Sequence, residues 1–343
     1  MPFLSEIPDI SFKKPMAAMV IANSMLSAVP GVSAAGANPK ATLMTPNLDA
    51  NLILNGPDPN FEIPLSPRGC ATPATVTRAM FELCKIEPVI VNAGLVTTPD
   101  FPCMDVYGKP GEDPRYGDAV SDPKELYKRG VAIGRQWGEY SDLLVLGESV
   151  PGGTTTALCV LRALGYNAGV SSSFIENPTG LKAEICREAL ERLKKDKITS
   201  PFDIIRYAGD PMMPVVAGIT KGYKGKVVLS GGTQMLSVCA HIKSLGEPMP
   251  PFVTTEYVRA DKSASIEKSA AEVGAAGWYV DPDFKNIGIA SLARYENGEV
   301  KEGAVLGGAL WLAYMMGFSE EEIFTQIRKF MDMFRCKNKE GLF

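Results

Sequence analysis

Residues 142–158, DLLVLGESVPGGTTTAL, constrain the fold of this chain more than any other stretch. An apolar run at 143–146 leads into Gly147, Glu148, the pair Gly152-Gly153 and three threonines, Thr154, Thr155 and Thr156, before an apolar pattern at helical spacing. The pattern predicts a buried strand, a tight turn, and a helix that opens at the threonines. The free N–H groups and positive dipole end of such a helix make an anion site. A plain strand-to-helix turn with a threonine N-cap would look similar, but glycines and hydroxyls occurring together at a helix start favour the anion site. No Gly-Lys-[Ser/Thr] follows, so this is not a Walker A loop, and no Gly-x-Gly-x-x-Gly fingerprint is present. Glu148 stands out, because a carboxylate beside an anion site needs a role of its own.

The rest of the chain repeats the strand–helix rhythm around that stretch. Strands are expected at 18–23, within 87–93, at 143–146, 204–207, 226–229, 252–255 and 278–280. Helices are expected at 74–83, from Pro123 to about Tyr140 with Asp122 as N-cap, at 181–195, from 212 to Gly222, and at 235–245, 263–276, 303–316 and 319–334. Ser319 and Glu322 have capping-box spacing. Residues 37–75 and 95–122 carry many prolines, and both read as long connections with little regular structure. Strands alternating with helices imply an α/β fold: a mostly parallel sheet covered on both faces. Glycine turns at Gly94, Gly152-Gly153 and Gly231-Gly232 would then gather at its carboxyl edge, where open α/β sheets bind ligands.

Composition narrows the function. A formal net charge of −4 with no basic stripe argues against a nucleic-acid surface. Seven cysteines without CxxC spacing indicate neither a zinc site nor a disulfide framework, and a single histidine, His241, leaves little basis for a His-based metal site or catalytic triad. No metal and no cofactor are expected. His241 lies on an apolar helix face and reads as a packing residue. Lys13-Lys14 ahead of an apolar stretch imitates a signal peptide, but Asn23, Ser24 and Ser27 interrupt it, so a first strand and a cytoplasmic location are expected. No run approaches the ~20 apolar residues of a membrane span.

Two further motifs carry chemistry. Ser230-Gly231-Gly232-Thr233-Gln234 repeats the strand–glycine–hydroxyl–helix order. In 299–310, EVKEGAVLGGAL, Glu302 precedes a helix studded with Gly303, Gly307 and Gly308. A buried carboxylate there could act as a general base, whereas a capping Glu on a solvent-facing turn would give the same letters.

These motifs, in this order, resemble the nicotinate-nucleotide–dimethylbenzimidazole phosphoribosyltransferases, in particular their archaeal branch. Residues 147–155, GESVPGGTT, stand where bacterial members have GEMGIGNTT. Gly180-Leu181-Lys182-Ala183 matches a Gly-Leu followed shortly by a basic helix start. Residues 209–218 (GDPMMPVVAG) match a Gly-Gly-x-Glu/Asp-Ile-Ala-Ala-Leu-Ala-Gly pattern, and 226–232 match a strand ending in Asp-Gly. Lys301-Glu302-Gly303 with the later Gly-Gly-Ala-Leu is similar to GEGTGAAL. Near the N-terminus, 32–36 and 66–69 look like the archaeal pattern. Three departures are visible: Gly152-Gly153-Thr154 replaces Gly-Asn-Thr, Ser230 replaces the Asp of the strand end, and 304–306 stand where the family has a lone Thr.

The resemblance covers nearly the whole chain and implies the following. The fold would be a Rossmann-like α/β catalytic domain, residues 15–300, with 1–14 and 301–343 contributing to a small helical domain, assembled as a homodimer. The small-molecule substrates would be nicotinate mononucleotide and a benzimidazole-type base, with neither nucleic acid nor membrane as partner. Glu302 would be the catalytic base and Glu148 a second acidic group near the reacting sugar. Gly152, Gly153, Thr154 and Thr155 would hold the phosphate, with Lys182 assisting and Gly231 and Gly232 on the nucleotide. Asn92 and Gly94, beside the proline-rich loops, are the candidates for the base pocket. A non-catalytic nucleotide-binding protein on the same scaffold, or another nucleoside-transfer enzyme such as a phosphorylase, remains an open alternative.

Overall fold

The computed structural model describes residues 2–36, 38–57 and 65–335; Pro59, Pro64 and Cys336 lie outside them. Seven strands form one sheet: β1 (Pro15–Ala22), β2 (Val89–Gly94), β3 (Met104–Asp105), β4 (Leu143–Ser149), β5 (Lys226–Ser230), β6 (Phe252–Thr255) and β7 (Gly277–Val280). Their spatial order is β3-β2-β1-β4-β5-β6-β7, and every neighbouring pair is parallel. The chain builds leftwards from β1 to β3, then jumps across β1 to β4 and builds rightwards. β1 and β4 therefore flank a topological switch point, whose carboxyl end opens as a crevice.

Helices cover both faces: α1 (Pro39–Asn55), α2 (Ala74–Cys84), α3 (Pro123–Trp137), α4 (Gly153–Ala163), α5 (Thr179–Lys195), α6 (Pro201–Ala208), α7 (Met212–Gly222), α8 (Thr233–Ser244), α9 (Glu256–Arg259), α10 (Ile266–Val273), α11 (Ala290–Ala293), α12 (Leu306–Met315) and α13 (Glu320–Arg335). Side chains alternate between two cores as the pleat requires. Ala18, Val20, Leu144 and Leu146 join the core under α3 to α8. Ala17, Met19, Leu143 and Val145 join the core under α1, α2, α12 and α13, which Phe3 and Leu4 complete. Each such fully buried Leu, Val or Ile contributes about 1.5–3 kcal/mol of transfer free energy. Both faces being apolar is why β1 and β4 read as continuous hydrophobic runs rather than alternating ones.

The structure corrects three expectations. Residues 39–55, read as part of a loop, form α1: Asn38 accepts from the Ala41 N–H as N-cap, and Pro39 occupies the first turn, where a missing N–H costs nothing. Pro46 lies inside that helix. The strand expected at 204–207 is helix α6, with Pro201 at its first turn. The helix expected at 263–276 begins only at Ile266, because the Asp261 carboxylate holds the Ser263 N–H and hydroxyl in a local turn. Elsewhere the expected elements recur within a few residues, including the Asp122 cap, which accepts from the Glu125 N–H, and the Ser319–Glu322 capping box.

Candidate active site

The carboxyl ends of β4, β5 and β6 open into a pocket with about 930 Å³ of empty volume, its open mouth included. Its walls come from the turn after β4 (Glu148 to Thr154), the start of α8 (Gly232 to Gln234), and the loops at 32–35, 65–73, 171–173 and 300–304, with Asp49 from α1. Two helix N-termini, those of α4 and α8, thus reach the same cavity. Neither has a side-chain cap: Gly152 and Gly232 hold the N-cap positions, and Gly152 adopts φ 81°, which a side chain would resist. No side chain accepts from their first-turn N–H groups; in α4 the Gly153 and Thr155 N–H groups donate to the Val150 and Gly152 carbonyls, so the Thr154 N–H and the dipole end are what that helix offers an anion.

Cationic side chains back the α4 end. Lys182, buried in the first turn of α5, donates to the Thr154 hydroxyl at 2.9 Å and to the Ser171 carbonyl at 2.6 Å. Lys301 donates to the Ser172 and Phe174 carbonyls at 2.8 Å each and lies 3.4 Å from Asp261. Burial lowers Lys182 to about 7, and the neighbouring Lys301 charge contributes to the same shift. An anion bound at the α4 N-terminus would favour the charged form of both ammonium groups. Gly153 faces Gln234: a Cβ there would meet its Nε2 at 2.2 Å. Thr155 is buried, and its hydroxyl has no partner among the described residues.

The two acidic candidates of the sequence meet here. Glu148, the penultimate residue of β4, is 4% exposed, and its Oε2 accepts from the Val150 N–H at 2.8 Å and from Gln234 Nε2 at 2.9 Å. Burial first, and the charges of Asp210 and Glu302 after it, push Glu148 up to about 8. Glu302 accepts four bonds, from the Thr254 hydroxyl (3.1 Å) and the N–H groups of Thr255 (3.0 Å), Gly303 (3.2 Å) and Gly307 (3.0 Å). Burial nevertheless raises it to about 7. The Gly307 bond caps α12, so Glu302 is a capping residue and a pocket residue at once. A Cβ at Gly307 would lie 2.8 Å from the Glu302 Oε2, which is why that helix needs glycine there.

The loop carrying Glu302 is strained and clamped. Val300, Lys301, Ala304 and Val305 all have positive φ, at 63°, 73°, 47° and 68°. Such conformations cost of order 1 kcal/mol or more per residue and persist only where surrounding contacts over-determine them. Here the Ala304 N–H donates to the Glu148 carbonyl at 2.9 Å, the Val300 N–H to the Ser173 carbonyl at 3.1 Å, and the Thr77 and Thr255 hydroxyls to the Ala304 and Lys301 carbonyls at 2.6 Å each. Ser230, in place of the bacterial Asp, accepts from the Gly308 N–H at 2.8 Å and ties α12 to β5.

Glu148, Glu302, Gly152, Thr154 and Gly232 line the pocket, and Lys182, Gly153 and Gly231 adjoin lining residues. Asn92 and Gly94 do not line it. They end β2, on the far side of β1 from the crevice, where Asn92 donates to Asp105 and accepts from the Gly94 N–H. Sequence reasoning assigns no role to Asp49, Lys301, Gln234 or the serines at 171–173. The 32–36 and 66–69 stretches, similar in sequence to the archaeal pattern, supply Ser33, Ala34, Ala35 and Ser66 to the walls.

No protein-family model matches the chain. Among solved structures, a CobT from Thermus thermophilus superimposes with TM-score 0.58 at 15% identity, covering 94% of this chain and 84% of that one. A nicotinate-nucleotide–dimethylbenzimidazole phosphoribosyltransferase from the same organism gives TM-score 0.54 at 18% identity, covering 91% and 86%. At those identities the likeness establishes a shared α/β fold. Sequence relatives are closer: the UPF0284 protein of Thermococcus onnurineus is 41% identical over 321 residues, 92% of this chain and 96% of that protein. That of Methanosarcina mazei is 40% identical over 330 residues, 92% and 93%. With near-complete coverage on both sides, the chain belongs to the UPF0284 family.

Proposed function

We propose that this protein transfers the phosphoribosyl group of nicotinate mononucleotide to a benzimidazole-type base, giving α-ribazole 5′-phosphate and nicotinate. One observation carries the reading: Glu148 and Glu302 face a pocket that also holds an uncapped helix N-terminus backed by two buried lysines. The motif resemblance and the shared fold support it. The phosphate would rest against Gly152, Gly153 and Thr154, with Lys182 and Lys301 behind it and Thr155, Gly231 and Gly232 bordering the nucleotide.

In the reaction, a ring nitrogen of the base forms a bond to C1′ while the C1′–pyridinium bond breaks. The electron pair of that bond goes to the pyridine nitrogen, which discharges its positive charge, and the proton of the base passes to Glu302. The Thr254 hydroxyl is the one rotatable donor among the four on Glu302, so turning it away frees a lone pair for that proton. Both donors to Glu148 bind Oε2, which leaves Oε1 available to stabilise positive charge developing at C1′.

Incubation with nicotinate mononucleotide and a panel of benzimidazole and purine bases should release nicotinate. Glu302→Gln should slow that release by about 10²–10⁴-fold, the usual contribution of a positioned general base, while calorimetry still registers nucleotide binding. If no base in the panel provokes nicotinate release, the reading fails.

A further inference from the structure

Lys301 occupies a position that does not suit its residue type. The bacterial pattern GEGTGAAL has glycine immediately before the glutamate, and here a lysine holds that place at φ 73°, directly after Val300 at φ 63°. Glycine adopts such a backbone freely, whereas a residue with a side chain is strained there. Strain of that kind persists where surrounding contacts over-determine it, so the contacts of this side chain are the place to look for its purpose.

The ammonium is fully occupied inside the pocket wall. Its three hydrogens meet three acceptors: the Ser172 and Phe174 carbonyls at 2.8 Å each and Asp261 Oδ2 at 3.4 Å. Asp261 is itself anchored, accepting from the Ser171 hydroxyl at 2.9 Å and from the Ser263 N–H at 3.0 Å. Lys182 differs. It donates to the Thr154 hydroxyl and the Ser171 carbonyl, which leaves one N–H for a ligand.

What Lys301 clamps is the loop that carries Glu302. Its side chain ties residues 300–304 to the wall at 172–174, and the Val300 N–H adds a bond to the Ser173 carbonyl at 3.1 Å. The Lys301 carbonyl accepts from the Thr255 hydroxyl at 2.6 Å, while the Thr255 N–H donates to Glu302 Oε2 at 3.0 Å. Thr255 thus couples the Lys301 backbone to the Glu302 carboxylate. Releasing the ammonium lets the left-handed turn relax, and Glu302 moves with it.

We propose that Lys301, held by Asp261, is a positioning residue for Glu302 and not a phosphate ligand. This rests on the phosphoribosyl-transfer reading, which gives Glu302 its task.

The test compares kcat with KM for nicotinate mononucleotide in Lys301→Met and Lys182→Met, at saturating concentration of a base that provokes nicotinate release. The stoichiometry of calorimetric nucleotide binding gives the folded fraction, so kcat is counted per competent site. Misplacing a reacting group by about 1 Å can cost about 100-fold, so Lys301→Met should lower kcat about 10- to 100-fold with KM within about threefold of native. Lys182→Met should instead raise KM by about tenfold or more, from the loss of a charged hydrogen bond. Asp261→Asn, whose amide oxygen can still accept from Ser171 or Ser263, keeps the test decisive should Lys301→Met not fold. It should lower kcat in the same way, by less. A rise in KM larger than the fall in kcat would make Lys301 a phosphate ligand and overturn the inference, and so would an unchanged kcat in both variants. A native protein that releases no nicotinate with any base overturns the transfer reading and the inference together.

Discussion

Two carboxylates in one pocket resist ionising together, and the protein treats them differently. Glu302 is surrounded by four donors that favour its charged form, while Glu148 has two donors and two acidic neighbours that oppose it. Glu302 therefore ionises first, near 7, and Glu148 follows near 8. Because the proton acceptor must start out ionised, and Glu148 must carry its charge to stabilise C1′, kcat/KM for nicotinate release should climb with pH through the Glu302 value near 7 and level off only above pH ~8. A profile already flat from about pH 5 upwards would remove Glu302 from that role. The same residues show what single-residue reading can reach. Glu148 and Glu302 are legible because each follows or precedes glycines in a pattern that is chemically odd. Lys301 is adjacent to Glu302 yet gives no such signal, since only folding brings its ammonium to the Ser172 and Phe174 carbonyls. Asp49 is hidden twice over, by an ordinary local sequence and by prolines that make its helix read as a loop.

At the scale of elements, the illegible boundaries share a cause. Prolines at 39 and 46 make α1 look like a connection, although Asn38 and Pro39 together are a helix-start signal. A short apolar run such as 204–207 cannot be assigned by periodicity alone, and Pro201 at the first turn is the better guide. Helix packing holds a second signal. Gly130 and Gly134 on α3 face Gly218 and Gly222 on α7, and a Cβ added at Gly218 would fall 2.1 Å from the Tyr127 carbonyl oxygen. Backbone, unlike a side-chain tip, cannot swing aside, so Gly218→Ala must push the two helices apart beneath β1. Overpacking of that kind costs about 3 kcal/mol. Urea unfolding of the variant should show the midpoint moving down by that equivalent with an unchanged slope; an unmoved midpoint would mean that the two helices approach less closely than this packing requires. The glycine motif that resembles a family signature thus acts through packing, away from the pocket lining.

Across the whole molecule, the ionisable groups that build the pocket also set its stability. Asp49, Glu148, Asp210 and Glu302 all have carboxyls raised by burial, to about 6, 8, 6 and 7, so each resists the charge it would readily take in an unfolded chain. For Glu148 the stability contribution is fully present below its unfolded value of 4.5 and is lost as pH rises through about 8, because the unfolded state releases its proton first. His241 and Lys182 act with the opposite sign. Burial lowers them to about 4 and 7, so stability lost on acidification below 6.5 for His241, and below 10.5 for Lys182, runs against the carboxylate trend. A raw stability–pH curve therefore mixes the two. The difference between Glu148→Gln and the native protein isolates one group, because the other titrations largely cancel, and the glutamine oxygen can still accept from the Val150 N–H and Gln234. That difference should be small near pH 4.5, grow in favour of the variant as pH rises, and saturate above pH ~8 at about 5 kcal/mol. Thermal unfolding of the two proteins in parallel across that range measures it directly. A variant that is less stable at every pH would mean that Glu148 is held by its bonds more strongly than burial opposes its charge. A variant that gains stability with pH yet loses turnover would identify Glu148 as a carboxylate kept in the pocket for the reaction at the expense of the fold.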